Sequence, residues 1–566
     1  MMSAQRPTST EEQGKQNSPY AGRWVARLRG KIIAHGGTPE QARRAAQRSR
    51  HKEKPQIDYM SPVNSLIVSP LLDKVLDALP AEQPLYLIGG AVRDALLGKV
   101  SHDLDFGLPR SETKSVDPMR VARHIANEIG AAYYPLDSER GAARLVLIHD
   151  DGARDILDFA TFRGDSLEDD LRGRDFTLNA IALDVRTQQL YDPLGGASDL
   201  RAKVLRMCSP TSLSNDPVRI LRAIRLAASF GFHIPPETRL AMKTAAPELS
   251  SSSVERRRDE LFRILDGAQP AIAFRAIEML GILPEVLPEL PALKGVAQPT
   301  PHVDDVWSHT LNVLRHLEAI LTALSPEYDE STAAEFYNGL LVMRLGRYRE
   351  KIGTHFSKKL IPDRSLYSLL FFAALYHDVA KPLKSEIGEN GRIRFWGHDE
   401  EGAQMAVARM RTLHLSNDEI DRVRRVIRHH MRIHSMTNRL FGEQKQPSRR
   451  AIYRFFRDAR EAGVDLVILS LADLRATYEH TLPEELWKTA LDVCRILLEN
   501  YWERPEEVVK PPSLLDGHEA MDAFALTPSP LVGKLLEAIR EAQAMGEISS
   551  KDEAFAFGRA WLDTQK

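Results

Sequence analysis

Twenty-two residues, Leu85 to Phe106 (LYLIGGAVRDALLGKVSHDLDF), restrict the fold more than any other part of the chain. A short apolar run, Leu85-Tyr86-Leu87-Ile88, ends in Gly89-Gly90, and an amphipathic segment from Ala91 to Leu97 closes at Gly98 before Asp103-Leu104-Asp105. The order reads as strand, glycine turn, helix, second strand. Without Cβ atoms, the two glycines let backbone N–H groups approach a phosphate where a helix N-terminus is already partly positive. In a strand, residues i and i+2 share a face, so Asp103 and Asp105 point the same way and offer hard oxygen ligands to a divalent metal. A phosphate cradle beside paired carboxylates implies metal-dependent phosphoryl or nucleotidyl transfer. A bare turn with two solvated aspartates accounts for a GG pair alone, but not for GGxVRD followed by DxD.

At 566 residues the chain exceeds one core, and strand patterns give way to 3.6-residue periodicity from Asp216 onward. The expected fold class is α+β, a small α/β head followed by an elongated all-α body. We divide it into a basic tail at 1–60, a head at 61–210, a helical neck at 211–300, a further helical domain at 301–480 and a terminal helical segment at 481–566. A polar, basic stretch at about 326–364 reads as an insertion, and Pro284 to Pro301 as a boundary. Residues 1–55 hold 12 Lys or Arg against 4 Glu and few large apolar side chains. The tail is therefore expected to be at least partly disordered, whether an RNA-binding arm or a solvated extension. No apolar run reaches membrane-spanning length, and only Cys208 and Cys494 are present. A cytoplasmic setting, no membrane partner and no disulfide framework follow as expectations.

Two further strings follow the DxD. Arg174-Asp175-Phe176-Thr177-Leu178-Asn179-Ala180 supplies a guanidinium for phosphate oxygens, and Asp175 and Asn179 are candidates for reading ribose hydroxyls. Asn215-Asp216-Pro217-Val218-Arg219-Ile220-Leu221-Arg222-Ala223-Ile224-Arg225 places three arginines at i, i+3 and i+6 on one helix face, with apolar residues turned inward. A helix cap at Ser214 or Asp216 with Pro217 in the first turn explains that start but not the arginines. Asp158, in ILDFATFR, reads equally as a third carboxylate or a strand-edge acid.

Together these strings resemble the polymerase-β-like nucleotidyltransferases, in the bacterial branch of CCA-adding tRNA nucleotidyltransferases and poly(A) polymerases. The resemblance runs from about Leu71 to the C-terminus. It implies that Asp103 and Asp105 are catalytic and hold Mg²⁺, and that Gly89, Gly90, Arg93, Asp94, Arg174, Asp175, Asn179, Asp216, Arg219, Arg222 and Arg225 bind nucleotide. Asp216 and Arg219 match an amino-acid template that selects C and A, both of which offer an exocyclic amino group where U and G offer a carbonyl. Arg222 and Arg225 would take the triphosphate. Gly173 and Asn215 stand where the family has arginine and glutamate. Asp192-Pro193-Leu194-Gly195-Gly196 resembles the element coupling head to neck, and Val254 to Leu261 the segment bracing the template helix.

A second constellation lies downstream. His309, the pair His377-Asp378 in LYHDVAKP and Asp473 fall in helical patterns beside apolar residues, a donor set suited to Ni, Co, Mn or Mg. Their order resembles the HD phosphohydrolase superfamily, in which His398, His429 and His430 become candidates for a second metal. The segment from Leu514 to Trp561 resembles a tRNA-holding helical piece. The expected function is addition or repair of the 3′-terminal CCA of tRNA from CTP and ATP, with an accessory HD phosphohydrolase. Rival readings are a poly(A) polymerase or A-only enzyme, an HD phosphohydrolase with an RNA-binding head, and a non-enzymatic tRNA-binding module.

Overall fold

A computed structural model describes residues 23–28, 31–48, 55–60, 69–81, 83–109, 117–138, 141–150, 153–327, 334–389 and 391–565. They fall into two units, Met1–Glu248 and Leu249–Lys566, and give a mixed α+β chain with a β-sheet head and a helical C-terminal region.

The first unit opens with β1 (Arg23–Leu28), β2 (Lys31–Gly36), α1 (Pro39–Arg48) and β3 (Gln56–Met60), an antiparallel sheet in the order β2-β1-β3. This corrects the expectation of disorder for the described part of the basic tail; residues 1–22 lie outside the described ones. Trp24, Val25 and Ala26 on β1 and Ala42 and Ala46 on α1 are buried. The two alanines stand four apart on one helix face, so a small apolar seam holds together a segment whose composition is dominated by charge.

After α2 (Leu71–Ala78), the glycine-turn segment becomes β4 (Tyr86–Ile88), α3 (Gly90–Leu96) and β5 (Asp103–Leu108). Then come α4 (Pro118–Ile129), β6 (Ala132–Asp137), β7 (Ala142–Ile148), β8 (Arg154–Thr161), β9 (Ala182–Asp184) and β10 (Leu190–Tyr191). The seven strands order as β10-β9-β4-β5-β8-β7-β6, with only β5 and β8 parallel. One sheet face is apolar: Leu104, Phe106, Leu145, Leu157 and Phe159 join Val92, Val121 and Ile125 in a single core. The Phe106 and Phe159 rings stack at 4.9 Å. Burying each ring contributes ~1.5–3 kcal/mol. Helix α4 has clear start and stop signals. Asp117 accepts from the Met119 amide at 2.9 Å, Pro118 opens the first turn, and Gly130 ends the helix at φ 73°. With the core face filled, the alternate side chains of β5 are left for the other face, where the acidic pair stands.

Helices α5 (Gly196–Ala202) and α6 (Arg219–Phe230) follow in this unit. The sequence boundary at 210/211 separates α6 from the head, whereas the structure groups them and divides the chain at 248/249.

The second unit is helical. It contains α7 (Val254–Leu265), α8 (Val306–Ala323), α9 (Phe336–Leu345), α10 (Arg349–Ser357), α11 (Leu366–Tyr376), α12 (His398–Thr412), α13 (Asn417–His429), α14 (Met431–Glu443), α15 (Arg449–Ala459), α16 (Gly463–Tyr478), α17 (Glu484–Trp502), α18 (Pro530–Met545) and α19 (Lys551–Asp563). Helix α11 is apolar around almost its whole circumference, and every residue from Ser368 to Tyr376 is buried, as a central helix of a bundle requires. The stretch read as an insertion supplies α9 and α10, whose Leu341, Leu345, Ile352 and Phe356 are buried. Buried charge is paired: Arg364 grips Glu419 at 2.7 and 3.1 Å, and Asp465 accepts from Arg422 at 2.6 Å. The terminal helices pack around Leu535 and Ile539, and α18 reaches α15 through a 2.9 Å bond from the Tyr453 hydroxyl to Glu537. Among the described residues no helix is long and apolar enough to cross a membrane.

Candidate active site and metal-ligand cluster

On β5 the side chains alternate as the pattern requires. Asp103 and Asp105 open to solvent, whereas Leu104 and Phe106 are buried. Gly89 turns at φ 86°, and a Cβ there would stand 3.0 Å from Arg174 Nη1 and 3.9 Å from Asp105 Oδ2. The bare backbone at Gly89 thus brings the turn, the arginine and the second aspartate into one small space. Although its carboxyl meets solvent, Asp105 is crowded by surrounding protein, and that partial desolvation raises its pKa to about 6; the charges of Arg174 and Arg222 oppose the shift, and those of Asp103 and Asp158 add to it. Hard oxygen donors on one face, with like charges crowded together, fit a divalent cation that would relieve the repulsion.

The arginine-rich helix behaves as its spacing predicts. Ile220, Leu221, Ala223, Ile224 and Leu226 of α6 are buried, and Arg219, Arg222 and Arg225 share the half-buried face. Helix α6 starts at Arg219 with Val218 in the cap position, so neither Ser214 nor Asp216 caps it. Asp216 instead lies 3.6 Å from Arg219 Nε. Arg219 also donates to the Arg174 carbonyl at 3.1 Å, to the Gly173 carbonyl at 3.1 Å and to Ser212 Oγ at 2.9 Å. The position where the family arginine is missing therefore still contributes, through its backbone.

Four of the candidate residues form one chain of bonds. Arg93 donates to Asn179 Oδ1 at 2.8 Å, Asn179 Nδ2 to Asp175 Oδ1 at 3.1 Å, and Arg222 Nη1 to Asp175 Oδ2 at 3.0 Å. The Phe176 amide adds a further bond to Asp175 at 2.7 Å. Burial works against charge on Asp175, yet Arg222, Asn179 and this amide hold its carboxyl below the usual range. Both its oxygens are engaged here, one of them by Arg222. Arg93 also donates to its neighbour Asp94 at 2.9 and 3.0 Å. Arg144 escapes sequence reasoning. Asp158 is the register partner of Asp105, and Arg144 holds it through two 2.8 Å bonds. That clamp joins residues 14 apart across neighbouring strands and leaves no linear signal. The turn from Asp192 to Gly196 is pinned by its own aspartate: Asp192 accepts from the Gly196 and Ala197 amides at 2.7 and 2.8 Å. Gly196 presses against the Thr177 carbonyl, where no Cβ would fit.

In the second unit α8, the end of α11 and α16 bring His309, His377 and Asp473 together, all buried, as one group of potential metal ligands. Asp378, His398 and His430 form a second group beside it. His309 Nε2 lies 3.0 Å from Asp473 Oδ1, and His398 Nε2 3.4 Å from Asp378 Oδ1. Three imidazoles are aimed by the backbone, for Nδ1 of His377, His398 and His430 bonds the carbonyl three residues earlier, at 2.7, 2.7 and 2.6 Å. That arrangement fixes the tautomer and leaves Nε2 for an ion. Nε2 of His377 and both ring nitrogens of His309 are buried without a well-formed hydrogen bond. Buried polar atoms are rarely left so, and the donor set fits one or two divalent ions. Burial, reinforced by His398 and His377, drives His430 down to about 3, which keeps it neutral and able to ligate. Asp378 stays ionised against burial because His377 and Lys381 stand beside it.

His429 is a correction: it belongs to neither group, and burial beside Arg432 sets its environment. On a helix its neighbour His430 points about 100° away, and only one of two consecutive residues can face the cluster. His434, four residues after His430 and so on the same face, bonds Asp473 at 2.8 Å; Lys381 reaches Asp378 at 2.6 Å. The i+4 and i+3 spacings are the available signals for the two. A cavity of about 640 Å³ opens onto the cluster and is lined by Lys381, Arg394, Trp396, His434 and Asn438 among others.

Comparison with known proteins matches residues 85–206 to the Poly A polymerase head domain, 231–293 to the probable RNA and SrmB-binding site of polymerase A, and 340–477 to the HD domain. His309 precedes the matched HD range, and the fold brings it in. The chain is 34% identical to an A-adding tRNA nucleotidyltransferase of Deinococcus radiodurans, over 84% of this chain and 95% of that one. It is also 34% identical to a CC-adding tRNA nucleotidyltransferase of Thermus thermophilus, over 84% and 93%. A solved CCA-adding enzyme in complex with CTP shares the fold, with a TM-score of 0.53 at 21% identity over 87% of this chain and 94% of that one.

Proposed function

This chain belongs to the tRNA nucleotidyltransferase family, and from that premise we propose that it builds or repairs the 3′-terminal CCA of tRNA from CTP and ATP in the cytoplasm. The observation that carries the reading is the bonded series Arg93–Asn179–Asp175–Arg222 beside the paired Asp103 and Asp105. Asp103 and Asp105 would hold Mg²⁺, which when bound supplies charge neutralisation at the reacting phosphate and a more acidic RNA 3′-hydroxyl. Arg174, beside Gly89, and Arg222, aimed by Asp175, orient the triphosphate. Asp216 accepts from the exocyclic amino group of C or A while Arg219 donates to the ring nitrogen or carbonyl. Bonds from Arg219 to the Gly173 and Arg174 carbonyls fix the guanidinium plane before the base arrives. Purified protein incubated with tRNA transcripts ending before, within and after CCA, with each NTP alone, tests the proposal. Incorporation of UTP or GTP as readily as CTP and ATP would overturn it.

A second reading has one observation in its favour. Relatives named A-adding and CC-adding are equally similar at 34%, which fits an enzyme that serves one step of the sequence. The same transcripts decide: a specialist extends only those ending before its own nucleotide.

We further propose that the HD cluster is a metal-dependent phosphohydrolase. His309, His377 and Asp473 would hold one ion, and Asp378, His398 and His430 a second; imidazole donors favour Ni, Co or Mn over Mg. Such ions, when bound, supply water activation and neutralise phosphate charge. Lys381 then stands where a phosphate oxygen would approach.

A further inference from the structure

The HD cavity is far larger than a phosphate needs. Its volume of about 640 Å³ lies within the range of small-molecule sites. At its rim stands Trp396, 71% exposed, while the other tryptophans of the described residues are buried or half-buried. An exposed indole in the lining of a cavity presents a flat π-face to whatever enters it. Trp396 sits just after a short hairpin, Glu386–Ile387 paired with Ile393–Arg394. Arg392 and Arg394 of this hairpin line the same cavity, as do Tyr478 and the apolar Met431 and Leu474. The lining thus joins the buried candidate ligands and the buried Lys381 to exposed arginines and an exposed aromatic face.

We propose that Trp396 is a specificity-determining residue of this site, a platform on which the base of a nucleoside phosphate stacks while its phosphate reaches the HD cluster. The inference rests on the phosphohydrolase reading for the chemistry at the candidate ligands, but the stacking is a binding event of its own. Every base has a π-face, so the platform tolerates any base and rejects substrates that lack one. The required chemistry is a terminal phosphate on a nucleoside, whether in a free mononucleotide or at an RNA end.

Full-length protein in Mn²⁺-containing buffer is titrated with adenosine 3′-monophosphate, with a short oligoribonucleotide ending in a 3′-phosphate, and with glycerol phosphate. Tryptophan emission and phosphate release are followed for wild type, Trp396→Leu and Trp396→Phe. Both nucleoside probes are expected to quench the emission of the wild type, and the quench disappears in both variants. Trp396→Leu raises KM for the nucleoside probes roughly ten-fold or more. It leaves kcat, and the KM for glycerol phosphate, within about two-fold, and Trp396→Phe restores most of the lost affinity because a phenyl ring still stacks. A larger effect with the mononucleotide or with the oligonucleotide identifies the source of the phosphate. An equal rise in KM for glycerol phosphate, an unchanged KM for all probes, or a quench that survives in Trp396→Leu would overturn the proposal. A wild type that hydrolyses none of the probes yet shows the Trp396-dependent quench would sink the hydrolase reading and keep the stacking platform.

Discussion

Asp175→Asn isolates the one group that joins the nucleotide-binding residues. The substitution keeps the volume and replaces one acceptor oxygen with an NH₂ donor. Asp175 is 5% exposed and accepts from the Phe176 amide, Asn179 and Arg222, all within 3.1 Å. With three donors and one remaining oxygen, at least one contact becomes donor against donor. The contact most easily released is the one to Arg222, whose side chain is 35% exposed and can turn to water. A hydrogen bond to a charged group contributes ~1.5–3 kcal/mol, and partial exposure puts this one near the lower end. If the bond serves to aim Arg222 at the triphosphate, kcat/KM for CTP and ATP falls roughly ten- to thirty-fold. Single-turnover incorporation into a tRNA transcript measures it, with thermal melting alongside. Combining Asp175→Asn with Arg222→Lys closes a double-mutant cycle, and the pair should be non-additive because both act through one contact. Additive losses, or a lowered Tm with unchanged kcat/KM, would refute the argument and leave Asp175 as a fold determinant only.

Asp103→Ala and Asp105→Ala should each abolish nucleotide addition with little change in Tm, since both side chains are solvent-open; near-wild-type incorporation by either one removes the active-site assignment. Asp216→Ala or Arg219→Ala should relax the preference for C and A about ten-fold or more, because an unmatched polar partner costs ~1–3 kcal/mol. UTP and GTP rejection as sharp as in wild type would leave the pair a local ion pair. His377→Gln with Asp378→Asn should eliminate phosphohydrolase activity and lower Tm, because Lys381 loses its 2.6 Å partner. CCA addition should stay within about two-fold, as the changes touch none of the groups that hold the nucleotide. Parallel loss of both activities at a temperature where the variant is still fully folded would mean that the two constellations act as one.

What the sequence discloses and what it hides follow from the range of each signal. The DxD face and the arginine face depend on local periods of 2 and 3.6, and both appear in the structure with their apolar counterparts buried. The short strands β7 and β8 are likewise visible, because Leu145 to Ile148 and Ile156 to Phe159 are dense in β-branched and large apolar residues. Pairings set by register are hidden. Nothing near Asp158 in the chain says that Arg144 will lie across from it, and nothing near Asp175 says that Arg222, 47 residues on, will bond it. The β1–β3 sheet is hidden for a different reason, since composition averages over a window and three adjacent buried residues in β1 are diluted by the charges around them.

The HD cluster shows how a motif and a geometry correct one another. The pair His429-His430 offers two ligands on paper, but a helix turns about 100° between them and can deliver one. The structure selects His430, whose Nδ1 is fixed by the Ile427 carbonyl at 2.6 Å, and adds His434 one turn later on the same face. His434 bonds Oδ2 of Asp473, and Oδ1 of that carboxylate faces His309. His434 thus holds one oxygen of Asp473 and leaves the other directed at the cluster. A buried core that merely tolerated histidines would satisfy their nitrogens from within. Here Nδ1 of three of them is satisfied by the backbone while the inward nitrogens converge on each other, His398 Nε2 and His430 Nε2 at 3.2 Å. Neutral acceptor nitrogens gain nothing from that proximity, whereas a cation bound there would gain from both.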